Sequence, residues 1–395
     1  MAARRCRHVF AKRWIAMTGL VFVFLLKKLD KWIKMDTLPD MFKVNNLTIT
    51  PIILALVAEI DEFKGAWQAL DSLAPDTLLS LRHVATVESV ASSTRIEGSK
   101  LTNSQVNTLI ANLKIKKFKT RDEQEVAGYA EVMELIFSSW EHIPFNENHI
   151  QQLHRDLLQF SAKDEHHRGR YKKIPNTVAA FNEKGEQVAI VFETATPFDT
   201  PRLMQELLAW VRYARDNKTL HPLLVVAVFV VVFLQIHPFE DGNGRLSRAL
   251  TTLLMLQFGY DYAPYSSLES VIEQNKGGYY AALRRTQGTI RSNSPNWEPW
   301  IVFFLSSLLS QVKNLKKKIA KQQKRAEPLA ELSAALVVIA RQQGKLTTLQ
   351  AETQTGANRA TIKKHLARLV KNGHLVRYGG GRGTWYEATA QDKDS

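Results

Sequence analysis

The most apolar stretch of this chain is Pro222 to Gln235, which has no polar face. Its fourteen residues are too few to cross a bilayer, which needs about 20. An element that is apolar on all sides is usually buried in a core. Beyond a polar interval, leucines recur at helical spacing, at Leu250, Leu253, Leu254 and Leu256. The pattern predicts a buried central helix, a polar loop and a second helix with one apolar face.

Helical spacing of apolar residues extends over most of residues 45–310. The predicted helices cover residues 52–63, 78–96, 105–113, 123–140, 147–160, 203–217 and a segment from 295 to 308. One stretch differs, because the β-prone runs Thr177–Phe181 and Val188–Phe192 flank the glycine-containing turn Asn182–Glu186. This arrangement predicts a β-hairpin inside a helical domain.

The pattern changes again in residues 327–395. Three predicted helices, at 329–340, 347–354 and 358–371, precede two short β-prone runs around the loop Gly379–Gly383. This order predicts a winged helix-turn-helix domain, whose third helix would lie in the major groove of DNA. Arg359, Lys363 and Lys364 occupy its open faces, and Arg382 lies in the wing. The same fold also serves as a protein-interaction module. Residues 311–326 are predicted to be a charged helical linker.

Charge and cysteine content narrow the function classes. Of the net charge of +15, residues 1–34 carry +8 and residues 311–395 carry +11, which leaves −4 for the centre. Any binding of nucleic acid is therefore expected in the basic C-terminal module and not in the central region of the chain. Cys6 is the only cysteine, which excludes a disulfide framework and predicts a reducing, cytoplasmic location. Five scattered histidines are expected on the surface, namely His142, His149, His154, His166 and His167.

Residues 1–44 form a basic and apolar N-terminal extension. Its apolar run, Trp14–Leu26, is too short to span a bilayer and lacks the cleavage site of a signal peptide. We predict no stable membrane span, and interpret the segment as an accessory or upstream-start extension. Association with a membrane surface and an ordinary packed helix stay open as alternatives.

The polar interval His237–Arg248 carries the candidate chemistry. Gly242 and Gly244 flank Asn243 where the next helix begins, so that backbone N–H groups can converge on an anion. Arg245 and Arg248 lie three residues apart and can both reach that helix start. The arrangement predicts a phosphate site.

Two further side chains in this interval add chemistry to the phosphate site. Asp241 offers the hard oxygen that Mg²⁺ on a polyphosphate prefers. His237 can accept a proton near neutral pH. A helix cap with a basic first turn is the simpler interpretation, but a cap needs neither His237 nor both arginines.

The twelve residues HPFEDGNGRLSR match every fixed position of HPFx(D/E)GNGRxxR, and the chain thereby resembles the Fic family. The resemblance implies that Gly242, Asn243, Gly244, Arg245, Leu246, Ser247 and Arg248 bind ATP, with Mg²⁺ on Asp241. It also implies that His237 activates a hydroxyl of a target protein, which receives AMP. Members with kinase activity alter the second glycine of the motif, which is retained here as Gly244.

A second motif of the family matches at Ser93, Glu97 and Gly98, in the pattern (S/T)xxxE(G/N). In similar proteins this glutamate pairs with the second arginine of the signature, here Arg248, and misaligns ATP. The resemblance therefore implies that Glu97 inhibits the enzyme from its own chain. Taken alone, a glutamate near a helix C-terminus is more often a surface residue.

The resemblance also implies roles for two other segments. In Fic proteins a hairpin at this position holds the target as an added strand, which assigns Val178, Ala179, Ala180 and Phe181 to a target-binding flap. Asn275, Tyr279 and Tyr280 lie where the family has adenine and ribose contacts, in a loose match. A structural hairpin and ordinary packing are the alternatives.

The sequence thus predicts a mainly α fold, a Fic-type helical domain with a β-hairpin flap plus a C-terminal winged helix-turn-helix domain. The expected divisions are 1–44, a helical region with the inhibitory helix at 45–165, the catalytic domain at 166–310, the linker 311–326 and the winged helix 327–395. The expected function is AMP transfer to a Ser, Thr or Tyr hydroxyl. Removal of AMP by an activated water and nucleotide sensing by a DNA-binding regulator are alternatives, and a homodimer stays open.

Overall fold

The structure is a computed structural model that describes residues 44, 47–68, 75–113, 118–181, 187–326 and 331–389. The chain divides into two compact units. Unit 1 contains Arg82–Gln311 with the residues before Leu73, and unit 2 contains Val312–Ser395 with Leu73–Leu81. The predicted N-terminal extension, apart from Val44, and the hairpin turn at 182–186 lie outside the described residues.

The helices predicted from the sequence begin near their predicted starts, and two further helices, which were not predicted, lie between residues 268 and 287. In chain order they are α1 Pro51–Gln68, α2 Pro75–Ile96, α3 Asn103–Ala111, α4 Arg121–Ser139, α5 Glu147–Leu157, α6 Thr200–Asn217, α7 Pro222–Ile236, α8 Asn243–Gln257, α9 Leu268–Gln274, α10 Lys276–Gln287 and α11 Glu298–Ala326. Helix α2 begins at Pro75, three residues earlier than predicted, because proline is favoured in the first helical position. The mainly helical fold class is confirmed.

Helix α11 corrects one prediction. It continues without interruption from Glu298 to Ala326, whereas the sequence predicted a helix that ends at Leu308 and a separate charged helical linker at 311–326. Leu315 and Ile319 are buried within the charged run. The charged residues therefore lie on the exposed faces of a helix whose apolar stripe remains buried. Because this stripe continues past Leu308, the helix continues as well.

Helix α7 is the core of unit 1. Every residue from Leu223 to Ile236 is buried, as its uniform hydrophobicity predicts. Helices α6, α8 and α10 pack against it. Trp300 of α11 is also buried and donates its indole N–H to Ala227 O at 2.6 Å. The helix that leads into His237 is thereby packed against several other helices.

The predicted hairpin forms, with β1 Thr177–Phe181 antiparallel to β2 Gln187–Glu193 and two register shifts between them. Within the described part of the chain it is a two-stranded sheet. Each strand therefore keeps one edge without a strand partner.

Unit 2 contains α12 Glu331–Gln343, β3 Leu346–Thr347, α13 Thr348–Thr355, α14 Arg359–Lys371, β4 Leu375–Tyr378 and β5 Trp385–Ala388. Its three antiparallel strands have the order β3-β5-β4. The unit has its own buried core, to which Leu336, Ile362, Leu366 and Leu369 contribute. The element order agrees with the predicted helix-turn-helix and hairpin, and the winged-helix assignment stays a prediction. Among all described helices, none combines the length and apolarity that crossing a bilayer requires.

Candidate active site

His237 lies at the carboxyl end of α7, where the chain enters residues 237–242, here called the motif loop. Its backbone N–H bonds to Phe233 O at 2.9 Å, while its φ of 54° and ψ of 61° are left-handed. A residue with a side chain rarely adopts this conformation. The end of the buried helix therefore fixes the direction of the imidazole.

The imidazole of His237 is neutral. Burial lowers its pKa to about 4 and outweighs the opposing hydrogen bond to Leu234 O. Nδ1 lies 3.3 Å from Leu234 O, which can only accept, so Nδ1 carries the proton. The atom that can accept a proton from a substrate is then Nε2.

Asn243 closes the motif loop upon itself. Its Oδ1 accepts from Phe239 N–H at 3.0 Å, and its Nδ2 donates to Phe239 O at 2.8 Å. Both residues are buried. The side chain of Asn243, which the sequence assigned to nucleotide binding, is thus used to shape the loop. Gly242, with a φ of 78°, caps the start of α8 just before it.

His154 holds the motif loop from α5, which corrects its expected surface position. It is fully buried and stacks on Phe239 with ring centroids 3.8 Å apart. Its Nδ1 accepts from Gly169 N–H at 2.8 Å, so Nε2 carries the proton that bonds to Asp241 O at 2.9 Å. Burial lowers the pKa of His154 to about 4. His167 is buried as well, against the same expectation. A single sequence offers no pattern that separates such a histidine from a surface one.

Asp241, the predicted metal ligand, is held by two arginines. Its Oδ2 accepts from Arg245 Nη2 and from Arg121 Nη2, each at 2.9 Å. Burial alone would raise the pKa of Asp241, but Arg245, the Gly242 N–H and Arg121 together lower it. The carboxylate is therefore ionised. The motif predicted Arg245, whereas Arg121 lies 120 residues away and local spacing could not indicate it.

Glu97 and Arg248 form the ion pair that the second motif predicted, here called the inhibitory pair after the role that the resemblance implies. Arg248 Nη2 donates to Glu97 Oε1 at 2.8 Å and to Ser93 O at 2.9 Å. Arg248 Nε donates to Ser93 Oγ at 2.9 Å. Burial works against the charge of Arg248, but the Glu97 carboxylate raises the pKa of Arg248 above its usual value. The structure therefore brings Ser93, Glu97 and Arg248 together.

The end of α2 fixes Glu97 in place. Gly98 N–H bonds to Arg95 O and Ser99 N–H bonds to Thr94 O, both at 3.1 Å. These two bonds are the Schellman pattern, which requires a left-handed residue after the helix. Gly98 supplies it with a φ of 112°. The glycine of the second motif is thus needed for backbone geometry.

Gly244 leaves the space that Glu97 occupies. A Cβ placed on Gly244 would lie 2.1 Å from Glu97 Oε1. The carboxylate therefore rests against the first turn of α8, where unpaired backbone N–H groups favour an anion. A phosphate and the Glu97 carboxylate would compete for this place.

The other residues that the sequence assigned to nucleotide binding fall into two groups, those that do not face a ligand and those that lie near the inhibitory pair. Leu246 is fully buried and Ser247 Oγ donates to Gly244 O at 2.8 Å, so these side chains pack and bond within α8 instead of facing a ligand. Asn275 accepts from Gly278 N–H at 3.3 Å and is the N-cap of α10. Tyr279 and Tyr280 do lie near the inhibitory pair. Burial raises the pKa of both, to about 12 for Tyr279, and the charges of Glu97 and Arg248 act on both.

A buried lysine joins the hairpin to the motif loop. Lys172 Nζ donates to Asn176 Oδ1 at 2.7 Å, to Thr194 Oγ1 at 2.9 Å and to Ile236 O at 3.1 Å. Asn176 Nδ2 in turn donates to Phe239 O at 2.9 Å. Burial lowers the pKa of Lys172 to about 8. The roots of β1 and β2 are thus bonded to the residues on either side of His237, and sequence reasoning missed this cluster because lysines are normally exposed.

Two sets of predicted contacts remain predictions. Val178, Ala179, Ala180 and Phe181 form most of strand β1, whose backbone alone is described. In unit 2, Arg359, Lys363 and Lys364 are exposed on α14, while the backbone at Arg382 belongs to the short 3₁₀ turn Gly381–Gly383.

Comparison with known proteins gives a consistent result. Residues 144–255 match the Fic/DOC family. The protein adenylyltransferase Fic of Drosophila melanogaster is 26% identical over 274 residues, which cover 64% of this chain and 52% of that protein. The chain therefore spans about half the length of the curated relatives it matches.

Solved structures agree with this match. A Fic family protein from Desulfovibrio desulfuricans G20 is 26% identical, with a TM-score of 0.57 over 87% of this chain and 98% of its own. A Fic domain containing signaling protein from Bacteroides thetaiotaomicron VPI-5482 is 25% identical, with a TM-score of 0.53 over 66% of this chain and 96% of its own. Residues 144–255, the segment that matches the Fic/DOC family, contain the whole motif loop and the start of α8, so the similarity of this chain to Fic proteins includes the candidate site.

Proposed function

We propose that the chain transfers AMP from ATP to a Ser, Thr or Tyr hydroxyl of a target protein, and that Glu97 restrains this transfer. The observation that carries the proposal is the inhibitory pair. A carboxylate rests against the anion-binding start of α8 and is bonded to Arg248 at 2.8 Å. An acidic side chain in an anion site is best explained as a substitute for a phosphate.

The residues of the motif would divide the chemistry as follows. The backbone N–H groups at Gly242–Gly244 and the Arg245 guanidinium hold the phosphates. Arg248 holds the γ-phosphate after Glu97 has moved away. His237 Nε2 accepts the proton of the target hydroxyl as its oxygen bonds to the α-phosphorus. The bond between that phosphorus and the bridging oxygen of the β-phosphate breaks, and pyrophosphate leaves.

Asp241 fits the Mg²⁺ that such a reaction uses. Its carboxylate is ionised, and its side chain is 39% exposed beside the anion site. Hard carboxylate oxygens are the protein ligands that Mg²⁺ prefers. When bound, the cation would neutralise charge on the leaving pyrophosphate. Arg121 shares Oδ2 of Asp241 and keeps the carboxylate ordered.

The presence of the hairpin supports the proposal that the acceptor of AMP is a protein. The unpartnered edge of a two-stranded sheet can bind an extended segment as a further strand. Lys172 and Asn176 bond the hairpin to the motif loop, so that a segment held there would lie at a fixed place relative to His237. The single cysteine, Cys6, supports the prediction that this takes place in the cytoplasm.

The decisive experiment measures label transfer from α-labelled ATP with Mg²⁺, to the protein itself and to lysate proteins. We expect Glu97→Gly to exceed the wild type by at least about ten-fold, the equivalent of 1.4 kcal/mol. Glu97→Gln is the matched control, because it keeps the size of the side chain and removes the charge that competes with phosphate. Its label transfer should also rise. Glu97→Gly combined with His237→Ala should show none.

Failure of Glu97→Gly to label any protein with any of the four α-labelled triphosphates would contradict the proposal. The same assay separates the reverse reaction. If a labelled target loses AMP on addition of the wild type but not of Glu97→Gly, then Glu97 activates a water that removes AMP.

We also propose that unit 2 binds DNA through α14. Ile362, Leu366 and Leu369 are buried on one side of this helix, and Arg359, Lys363 and Lys364 are exposed. Exposed basic residues on the third helix of a helix-turn-helix suit contacts with DNA phosphates.

Fluorescence anisotropy with a duplex of mixed sequence tests DNA binding across a salt series. Lys363→Ala/Lys364→Ala should weaken binding and reduce the slope of log affinity against log salt by about 2. Lys317→Ala/Lys321→Ala, at exposed lysines of α11, is the control. Equal affinities and slopes for the two double variants would exclude α14 as the DNA-binding element.

A further inference from the structure

Three side chains with metal-ligand chemistry meet beside the motif loop. His166 and His167 follow the 3₁₀ turn Ala162–Asp164, and Glu240 lies in the loop between Phe239 and Asp241. One ligand atom from each of His166, His167 and Glu240 lies within 4.8 Å of the other two. They are here called the histidine cluster. None of the three takes part in the proposed transfer of AMP.

His167 provides a second, independent observation. Its side chain is more than nine-tenths buried, and Nε2 lies 3.2 Å from Asp164 Oδ1. Its Nδ1 is also buried and has no hydrogen-bond partner among the residues that the structure describes. A carboxylate on one ring nitrogen, with the other nitrogen unused, is the usual arrangement of a metal-binding histidine. The carboxylate orients the ring and makes the opposite nitrogen more basic.

The ligand types select the class of cation. Two imidazoles and one glutamate are the protein ligands of many zinc sites, with a water in the fourth position. Imidazole also suits other transition-metal dications, whereas Mg²⁺ prefers oxygen ligands alone. Bond lengths of about 2.0–2.2 Å would require the ligand atoms to close by roughly 1 Å. The exposed ring of His166 and the half-buried side chain of Glu240 are placed to make that movement.

We propose that His166, His167 and Glu240 form a binding site for a transition-metal dication of the zinc class, separate from the Mg²⁺ site at Asp241. The cation would tie Glu240 of the motif loop to the segment that follows α5. Asp164, which orients His167, also lies 3.6 Å from Arg121, the residue that bonds to Asp241. An ion in the histidine cluster would therefore order both sides of the motif loop.

The test measures zinc affinity of the full chain by competition with a chromophoric chelator, without nucleotide and with excess Mg²⁺. Cys6→Ser/His8→Ala is the background, because a thiol and an imidazole two residues apart could bind zinc by themselves. We expect one zinc per chain. His166→Ala and Glu240→Gln should each weaken binding by at least about ten-fold. His142→Ala, at an exposed histidine outside the cluster, should leave it unchanged.

Cobalt supplies a readout that a general change in folding would not imitate. Co²⁺ in the histidine cluster should show the intense visible absorption of low coordination number, and Glu240→Gln should remove it. Asp164→Asn should weaken binding less than the loss of a direct ligand. Zinc affinity that is the same in His166→Ala, Glu240→Gln and His142→Ala, or no zinc binding by the background protein, would overturn the proposal. Neither result depends on whether the chain transfers AMP.

Discussion

His237 combines its proposed catalytic role with an unusual backbone conformation. Among the described residues, it and Lys218 are the non-glycine residues with positive φ, at 54° and 51°. Such a conformation is least costly for glycine and asparagine and most costly for β-branched residues. The chain therefore keeps a histidine where helix termination would favour another residue, as is common at functional sites.

This strain predicts a difference between two inactive variants. His237→Asn and His237→Val both remove the base, so neither should transfer AMP in the Glu97→Gly background. The free energy of unfolding should nevertheless be higher for His237→Asn than for His237→Val by about 1–2 kcal/mol. Urea unfolding measures it. Lys218→Asn and Lys218→Val should differ in the same direction without loss of label transfer, and equal stabilities within each pair would refute the explanation.

At the scale of elements, the motif loop depends on segments that are distant in the sequence. Helix α7 fixes its first residue, α8 begins at its end, and α5 holds its middle through His154. Lys172 and Asn176, which precede the hairpin, donate to Pro238 O and Phe239 O of this loop. The loop is thus rigid because each contact comes from a different element.

The histidine contacts predict how stability depends on pH. Burial lowers the pKa of His154 and of His237 to about 4, while an unfolded histidine titrates near 6.5. Between these values the unfolded chain binds more protons, so the free energy of unfolding falls as the pH falls. The slope is at most about 1.4 kcal/mol per pH unit for each group.

Urea unfolding from about pH 7 to 4 measures this slope. His154→Gln should lower stability at neutral pH, because it loses a hydrogen bond, and should also flatten the slope. His142→Gln, at an exposed position, should leave the slope as in the wild type. A wild-type stability that stays constant down to about pH 4 would show that the two histidines are not buried as neutral groups.

Sequence patterns predicted elements and local motifs better than distant polar contacts. The uniform hydrophobicity of 222–235 predicted a buried helix, and the glycines at 98, 242 and 244 marked turns or close approaches. The inhibitory pair was predicted only because two motifs of one family occur in the same chain. Arg121, His154 and Lys172 were missed, since a charged or polar residue becomes buried only through partners that fold against it.

At the scale of the whole molecule, charge and packing follow the same division. Unit 2 has a buried core of its own and carries much of the positive charge, whereas the centre of the chain is mildly acidic. Each unit thus has the apolar interior that independent stability requires.

A core substitution in unit 2 should therefore have a local effect. Leu366 is fully buried in that core, so Leu366→Ala should lower the free energy of unfolding of unit 2 by about 2–5 kcal/mol. Differential scanning calorimetry should show one transition moving to lower temperature while label transfer by Glu97→Gly persists. Leu349→Ala, at a leucine that is 67% exposed, is the control. A single transition that moves as a whole, with loss of label transfer, would show that the units unfold together.

The inhibitory pair has a genetic consequence. Among the described residues, Arg248 forms an ion pair with Glu97 alone, so under the proposed function a single codon carries the charge that restrains AMP transfer. Most single base changes in a glutamate codon remove that charge, and the acidic product they can reach, aspartate, is one methylene shorter. Many codons can mutate to abolish AMP transfer, but codon 97 can mutate to release it. If unrestrained transfer harms the cell, mutations at codon 97 should be recovered mainly in strains that already carry a defective codon 237.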